Sequence, residues 1–314
     1  MRHKKLEIPE FLHGKRADIA ISELLGNELS RNQVKDLIKS GDILINDERC
    51  KPKDKICHND QIDVSIPDAE ASSWNAEDIN LDIIFACDDY AIINKPAGLV
   101  MHPGAGVKSG TLANGVAKIY PEVLSLPRNG IVHRLDKDTS GLVVIARKNS
   151  FRNYISEQFQ NREVEKKYLA VIKGEIIGAL TIDKPIARDR QNRTKMKVDE
   201  SGREAISEAI SLESFGGYSV VEVKIETGRT HQIRVHLSSN KTPIIGDKAY
   251  GSGSQLIKDL SGNVKDKILS FPRQALHAYQ LAFLDASNEM QTYKSNLPDD
   301  ILGLIESLKS NENA

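Results

Sequence analysis

The alternation of apolar and polar positions predicts a small helical and stranded module near the N-terminus. Ser30 and Gln33 have the spacing of a capping box, and Gly41 can end the helix that follows. Residues 42–46 (DILIN) and 61–66 (QIDVSI) have the composition and alternation of strands. The apolar stripe of the helix between them consists of Val34, Leu37 and Ile38.

A larger set of elements follows. Phe151, Tyr154, Ile155 and Phe159 have helical spacing, and Asp299 and Asp300 can cap a closing helix. The core-facing residues predicted for the closing helix are Ile301, Leu302, Ile305 and Leu308. Strands are predicted over residues 90–94, 142–146, 167–173 and 218–226. Because these elements lack a regular strand–helix repeat, the pattern favours an α+β fold over a doubly wound one.

The polar stretch 68–80 (DAEASSWNAEDIN) predicts an acidic linker between two domains. The 314 residues agree with that organisation, since a domain holds about 100–200 residues. We therefore expect an N-terminal domain over 14–67, a catalytic domain over 81–298, and a C-terminal helix and tail over 299–314. The stretch 252–266 is predicted to be a peripheral insertion.

Composition narrows the class of protein. Hydrophobic residues make up 39% of the chain and charged residues 28%, which is typical of globular proteins. No apolar run approaches the ~18–20 residues of a membrane span, and the basic start lacks the apolar region of a secretory signal. The three cysteines are odd in number and have no CxxC spacing, which argues against a disulfide framework or a zinc site. We expect a cytoplasmic protein.

The overall net charge of −1 conceals a strong segregation of charge. Residues 61–92 carry a net −8, whereas residues 93–250 carry a net +8. A basic segment of this kind permits a local face that binds polyanions. In the first module Arg31, Lys35 and Lys39 recur every four residues. They form either a solvated helix face or part of an RNA-binding surface.

Polar clusters between apolar strands are the candidates for chemistry. Residues 133–141 (HRLDKDTSG) carry too many charges for a buried strand and therefore predict a loop at the end of the sheet. Asp138 within it has the pattern of a turn residue. The glycine-rich residues 101–106 lack the spacing of nucleotide-binding loops. In residues 227–237, Thr230 is a candidate N-cap, and His231 and His236 lie about 140° apart on an ideal helix, which disfavours a shared metal ion.

Four segments together resemble the RluA family of pseudouridine synthases. They are residues 93–106 (INKPAGLVMHPGAG), 133–142 (HRLDKDTSGL), 166–175 (KKYLAVIKGE) and 227–251 (TGRTHQIRVHLSSNKTPIIGDKAYG). The HPGAG loop, and the N-terminal module that resembles an S4-type alpha-L domain, are most similar to the D subtype. That subtype modifies large-subunit ribosomal RNA.

The resemblance implies a fold and a set of site residues. The expected fold is α+β, with a mixed, largely antiparallel sheet, flanking helices and an S4-type RNA-binding domain. Asp136 would be the catalytic aspartate and Arg234 its partner, while Tyr168 would pack on the flipped uracil. The residues expected to bind RNA or assist base flipping are Arg134, Ile233, His133, Arg229, Arg31, Lys35 and Lys39.

The implied reaction converts uridine to its isomer pseudouridine, so neither a cofactor nor a metal is expected. The expected partner is ribosomal RNA of the large subunit or its assembly intermediate, bound by a monomer without contact to a membrane. The basic run 184–197 (KPIARDRQNRTKMK) is either a solvated hairpin tip or a contact to the RNA backbone. Two other functions remain open, namely an RNA-binding assembly factor and a glycosidase-like hydrolase of nucleosides.

Overall fold

The computed structural model describes residues 2–26, 29, 31–66, 74–104, 106–251, 260 and 262–312. The predicted cap Ser30, the first part of the predicted linker (68–73) and most of the predicted insertion (252–259 and 261) lie outside the described residues. No helix in the described ranges is long and apolar enough to cross a bilayer.

The N-terminal module packs two helices on a four-stranded antiparallel sheet. Its helices are α1 (Ala17–Leu25) and α2 (Arg31–Ser40). Its strands are β1 (Arg2–Glu7), β2 (Ile43–Ile45), β3 (Glu48–Arg49) and β4 (Gln61–Ile66), in the order β1-β4-β2-β3. The predicted helix and both predicted strands are present. The sequence did not predict β1, which pairs along its whole length with β4.

The larger unit is built on a nine-stranded sheet in the order β5-β6-β7-β14-β8-β13-β12-β9, with β15 beside β14. Among the described strands only β7 and β14 pair in parallel, so the predicted α+β class with a largely antiparallel sheet is confirmed. The nine strands are β5 (Asp82–Ala86), β6 (Tyr90–Lys95), β7 (Ser140–Ala146), β8 (Glu165–Lys173), β9 (Ala179–Asp183), β12 (Ile206–Phe215), β13 (Tyr218–Ile225), β14 (Leu276–Leu284) and β15 (Met290–Lys294). A separate two-stranded hairpin consists of β10 (Ile186–Arg188) and β11 (Met196–Val198).

Within the described residues, five α-helices flank this sheet, and two of them differ from their predictions. They are α3 (Leu112–Ile119), α4 (Asn149–Asn161), α5 (Gln232–Ser239), α6 (Gly262–Ser270) and α7 (Asp299–Glu312). The prediction that Thr230 caps α5 is wrong, because His231 occupies the cap position with a left-handed backbone. In α7, the prediction that Leu302 faces the core is wrong, because Leu302 is exposed and Leu304 is buried instead. Asp299 and Asp300 lie in the first turn of α7 rather than before it.

The second half of the predicted linker contacts α3. The Asn114 side chain donates a hydrogen bond to the backbone oxygen of Asn75, at 2.7 Å. The Glu77 carboxylate accepts one from the Gly110 amide at 3.0 Å, and Ile79 packs against the same apolar core as α3. Residues 74–80 are thus held against the larger unit, and the domain limits drawn from the sequence stay a prediction.

Candidate active site

Asp136 lies in the loop that precedes β7, and Lys95 holds this loop from one side. Lys95 ends β6, and its fully buried ammonium donates hydrogen bonds to the backbone oxygens of Pro96, Leu99 and Lys137, at 2.8–3.0 Å. Burial lowers the pKa of Lys95 to about 7, while the charges of Asp138 and Asp136 oppose that decrease. The lysine thereby ties the end of β6 to the residue that follows Asp136. Sequence analysis quoted its motif but gave Lys95 no role.

Arg273 holds the same loop from the other side. Its guanidinium makes two hydrogen bonds to the carboxylate of Asp300, at 2.7 and 2.8 Å, and a third to the backbone oxygen of Asp138, at 3.2 Å. The neighbouring Gln274 donates to the hydroxyl of Thr139 at 3.1 Å. Asp300 therefore helps to fix the loop by way of Arg273. Sequence analysis missed this contact because the three segments are far apart in the chain.

Arg234, in the first turn of α5, joins two carboxylates. Its Nη1 donates to Asp136 Oδ2 at 3.0 Å, whereas its Nε and Nη2 form a two-pronged pair with Asp247 at 2.7 and 2.9 Å. Burial acts to lower the pKa of Arg234, but Asp247 and Asp136 together hold it above its ordinary value. The guanidinium is therefore a permanent cation beside Asp136. The structure brings together the two residues that the resemblance paired.

Asp247 is a site residue that sequence analysis did not identify. Its carboxylate is buried and also accepts hydrogen bonds from the backbone amides of Ala249 and Tyr250, at 2.9 and 3.0 Å. Burial would raise the pKa of Asp247, but the hydrogen bonds from Arg234 and from these amides hold it below its ordinary value. The available signal was its position in the GDKAYG segment directly after the Gly246 turn.

Tyr168 projects from β8 toward the charge of Asp136. Its side chain is buried, and burial together with the Asp136 carboxylate raises the pKa of Tyr168 well above its ordinary value. The phenol is therefore neutral at physiological pH. Its ring packs in the main apolar core, and its hydroxyl has no hydrogen-bond partner among the described residues.

Arg134 and Ile233 flank the Asp136–Arg234 pair in opposite environments. Arg134 is exposed, and its guanidinium has no hydrogen bond or ion pair with any described residue. Ile233 precedes Arg234 in α5 and is buried in the main core. The residue two positions before Asp136 is thus an exposed cation, whereas the residue before Arg234 is covered by the core.

His133 and Arg229 each make a hydrogen bond with another residue of the protein. The Nε2 atom of His133 accepts a hydrogen bond from the Val144 amide at 3.0 Å, and its ring stacks on Phe159. Burial lowers the pKa of His133 to about 3, so the ring is neutral. Arg229 Nε donates to the backbone oxygen of Glu204 at 2.8 Å. These contacts favour positioning roles for both residues, and the expected contact to RNA stays a prediction.

In the N-terminal module, Arg31 and Lys35 converge on a carboxylate. The carboxylate of the buried Asp18 forms ion pairs with three cations. Its oxygens lie 2.9 Å from a guanidinium nitrogen of Arg31, 3.0 Å from one of Arg16 and 3.6 Å from the ammonium of Lys35. Three cations around one carboxylate leave a net positive cluster, and Arg31 and Arg16 keep 46% of their side-chain surface exposed. Lys39 pairs instead with Asp36 at 3.8 Å. The cluster is suited to binding an anion, and its occupant stays a prediction.

Comparisons with known proteins point to one family. The profile of the RNA pseudouridylate synthase family matches residues 89–239, and the S4 domain profile matches residues 16–62. The chain is 38% identical to a Xanthomonas campestris protein named ribosomal large subunit pseudouridine synthase D, over 96% of this chain and 91% of that protein. A Neisseria meningitidis protein of the same name is 40% identical, over 97% and 81% of the respective chains.

Solved structures are also similar. Human RNA pseudouridylate synthase domain containing 4 superposes with a TM-score of 0.58 at 26% identity, covering 73% of this chain and 93% of its own. Human RNA pseudouridylate synthase domain containing 1 superposes with a TM-score of 0.53 at 24% identity, covering 75% of this chain and 97% of its own. This second similarity supports the fold alone.

Proposed function

Since this chain belongs to the RNA pseudouridylate synthase family and carries an S4 domain, we propose that this RNA pseudouridine synthase modifies specific uridines of large-subunit ribosomal RNA. The observation that supports the proposal most strongly is the ion pair of Asp136 with Arg234 at 3.0 Å. The substrate class is taken from its relatives, whose printed names specify the large ribosomal subunit.

The reaction breaks the bond between uracil N1 and ribose C1′, turns the base and joins its C5 to C1′. Nothing is added or removed overall, because the proton lost from C5 is balanced by one gained at N1. An ionised carboxylate beside C1′ or C6 can attack or stabilise the charge that develops. We assign this role to Asp136, and both points of attack require the same carboxylate.

The hydrogen bonds of Arg234 leave Asp136 available for reaction. Asp247 receives two of them and Asp136 only one, so the guanidinium plane is fixed mainly by the residue that does not react. The remaining lone pairs of the Asp136 carboxylate thereby stay open to the substrate.

A uridine inside folded RNA must leave its stack to reach Asp136, which costs a few kcal/mol. Stacking on the ring of Tyr168 can return about 1–3 kcal/mol. The guanidinium of Arg134, which has no partner among the described residues, would enter the gap left by the base and meet backbone phosphate. Ile233 adds an apolar surface for the extruded uracil. Base flipping by these residues is thus the mechanism that we propose.

Basic surfaces would hold the rest of the RNA. We assign backbone contacts to Arg31 and Lys35 in the S4 domain, to Lys39 at the end of the same helix, and to the hairpin over 184–197. His133 and Arg229 would support the site from behind. Contacts of this kind position RNA and make affinity depend on salt, but they do not read sequence.

We further propose that the enzyme acts as a cytoplasmic monomer during assembly of the large subunit. One chain carries both the S4 domain and all the residues assigned to the site. A deletion strain complemented with Asp136→Asn separates isomerisation from a role as an RNA-binding assembly factor. Restored subunit assembly without pseudouridine would favour the second role.

Mapping pseudouridines in ribosomal RNA from cells with and without the gene tests the proposed function. We expect one or more large-subunit positions to lose pseudouridine in the deletion strain and to regain it with the wild-type gene. Identical maps in the two strains would contradict the proposal. Release of free uracil by the purified enzyme would point instead to a nucleoside hydrolase.

A further inference from the structure

A chain of polar contacts connects Asp136 to the β10–β11 hairpin. The backbone amide of Met196, in β11, donates to Tyr250 Oη at 2.8 Å, and Tyr250 Oη lies 2.7 Å from Nδ1 of His231. The Nε2 atom of His231 lies 3.9 Å from Asp136 Oδ2. We propose that Tyr250 and His231 are positioning residues that couple RNA contact at this hairpin to the orientation of the Asp136 carboxylate. The inference rests on the proposed function.

The hydrogen-bond pattern gives the chain a direction. Because the Met196 amide already donates to the Tyr250 oxygen, the phenol hydrogen is directed to Nδ1 of His231. The imidazole then carries its own hydrogen on Nε2, which faces Asp136. Burial raises the pKa of Tyr250 and lowers that of His231, so both groups are neutral and keep this arrangement.

Tyr250 touches His231 and Arg234, two of the groups that face the Asp136 carboxylate. Its ring packs edge-on against His231, and its face lies 5.1 Å from the guanidinium carbon of Arg234. His231 itself has a φ of +57°, a conformation that non-glycine residues rarely adopt. A movement of Tyr250 is therefore transmitted to the imidazole and to the guanidinium together.

The distance between His231 and Asp136 leaves room for a closing movement. At 3.9 Å the two atoms are beyond hydrogen-bond range, which ends near 3.2 Å for this type of bond. A shift of less than 1 Å at the imidazole would form a direct hydrogen bond to Oδ2. Catalytic hydrogen bonds are often long in free enzymes and tighten only with substrate.

The hairpin carries cations that can receive RNA. Arg190 and Arg193 are exposed, and neither side chain has an ion pair with a described residue. Lys195 directly precedes Met196, the residue that anchors Tyr250. Phosphate contact at these cations would thus press on the strand that holds the Tyr250 hydroxyl. The hairpin is the part of the site where substrate binding can be sensed.

The test compares Tyr250→Phe with Tyr293→Phe in the full-length enzyme. Tyr250→Phe removes one hydroxyl and keeps the ring beside Arg234. Tyr293→Phe is the matched control, because it removes a hydroxyl whose only hydrogen-bond partner among the described residues is Tyr90. The assay is single-turnover tritium release from 5-³H-uridine-labelled large-subunit rRNA, with filter binding of the same RNA. We expect Tyr250→Phe to slow release about tenfold, as for one lost hydrogen bond, with the Kd changed less than about twofold.

A double-mutant cycle separates coupling from a local effect. In the wild-type background, Arg190→Gln with Arg193→Gln should weaken binding and also slow release at saturating enzyme. In the Tyr250→Phe background the same pair should weaken binding equally, with little further loss of rate. His231→Asn provides a second variant, because asparagine tolerates the left-handed backbone but lacks the imidazole. It should slow release to a similar extent.

The outcomes distinguish this inference from the proposed function. One outcome would overturn the inference and leave the proposed function intact. In it, the wild-type enzyme releases tritium, and Tyr250→Phe and His231→Asn release it at the same rate as Tyr293→Phe. Equal slowing by the hairpin substitutions in both backgrounds would also overturn it. Absence of release by the wild-type enzyme itself would instead overturn the proposed function. Thermal unfolding within a few degrees of wild type shows that a variant is folded.

Discussion

At the scale of residues, the most informative contacts are the hydrogen bonds of Arg234. Two of them go to Asp247 and one goes to Asp136. Sequence analysis paired Arg234 with Asp136 through the family resemblance, although the two lie 98 positions apart. It could not find Asp247, because composition and spacing do not reveal which of several carboxylates a guanidinium contacts. The roles of Lys95 and Arg273 escaped prediction for the same reason.

Asp247→Asn should impair both stability and rate. The substitution removes a charge from a buried pair and leaves Arg234 free to rotate away from Asp136. We expect about 1.5–3 kcal/mol less free energy of unfolding and roughly a 100-fold slower release of tritium. Urea unfolding and the single-turnover assay measure the two effects.

Asp89→Asn is the matched control for this prediction. Asp89 pairs with Lys148 at 2.8 Å at the protein surface, and 35% of its side chain is exposed. We expect little change in either measurement. A wild-type rate for Asp247→Asn would show that Arg234 does not depend on its second carboxylate.

His277 should make stability depend on pH. It is buried between the hydroxyls of Ser140 and Ser295, and burial, together with the charge of Arg273, lowers its pKa to about 4. As the pH falls below about 6.5, His277 therefore binds a proton in the unfolded chain but not in the folded chain. Its contribution to stability is complete above pH 6.5 and decreases by about 1.4 kcal/mol per unit as the pH falls toward 4.

Urea unfolding of wild type and His277→Gln at pH 7 and pH 5 checks this effect. The loss of stability between the two pH values should be about 2 kcal/mol smaller in the variant. An identical loss in both proteins would show that His277 does not contribute.

At the scale of elements, locally encoded features were predictable and long-range pairings were not. The helix over Arg31–Ser40 and the strand Gln61–Ile66 match their predictions, because apolar spacing and turn residues act within a few positions. The strand Arg2–Glu7 was not predicted because five of its six residues are charged or histidine, and the sixth is a single leucine. The parallel pairing of β7 with β14 joins segments about 140 residues apart, which no local pattern encodes.

The junction of β7 with β14 requires glycine at position 141. Gly141 has a φ of +119°, and a Cβ there would lie 2.3 Å from the backbone oxygen of Ala278. We expect Gly141→Ala to lower the free energy of unfolding by more than about 2 kcal/mol. Because Gly141 is the second residue of the strand that follows the Asp136 loop, the rate should fall as well.

Gly262→Ala is the control for the glycine substitution. A Cβ at Gly262 meets no atom within 4 Å, and the residue begins helix α6. Chemical denaturation should show the variant to be at least as stable as wild type. Equal stability of the two alanine variants would contradict the steric account of Gly141.

At the scale of the whole molecule, charge is divided between segments with different tasks. The net charge of the whole chain is −1, yet residues 93–250 carry a net +8. The S4 domain has its own apolar core, separate from the core of the larger unit. In this domain Arg31 and Lys35 both pair with the buried Asp18, a contact that helical spacing alone could not predict.

The combined substitution Arg31→Gln with Lys35→Gln should weaken RNA binding without slowing the reaction at saturating enzyme. Two lost phosphate contacts should reduce the slope of log K against log salt by about 1.5–2. Lys5→Gln, which alters a lysine paired with Asp63, is the control and should change the slope little. A fall in single-turnover rate with unchanged affinity would place these cations in the reaction instead.

Tritium release from 5-³H-uridine in large-subunit ribosomal RNA tests the central assignment most directly, with wild type, Asp136→Asn and Asp138→Asn compared under single-turnover conditions. Asp138 is the matched control, because it lies two positions away in the same loop and fixes that loop through its backbone oxygen. The account predicts release by wild type and by Asp138→Asn, and none by Asp136→Asn. Release at the wild-type rate by Asp136→Asn would contradict it.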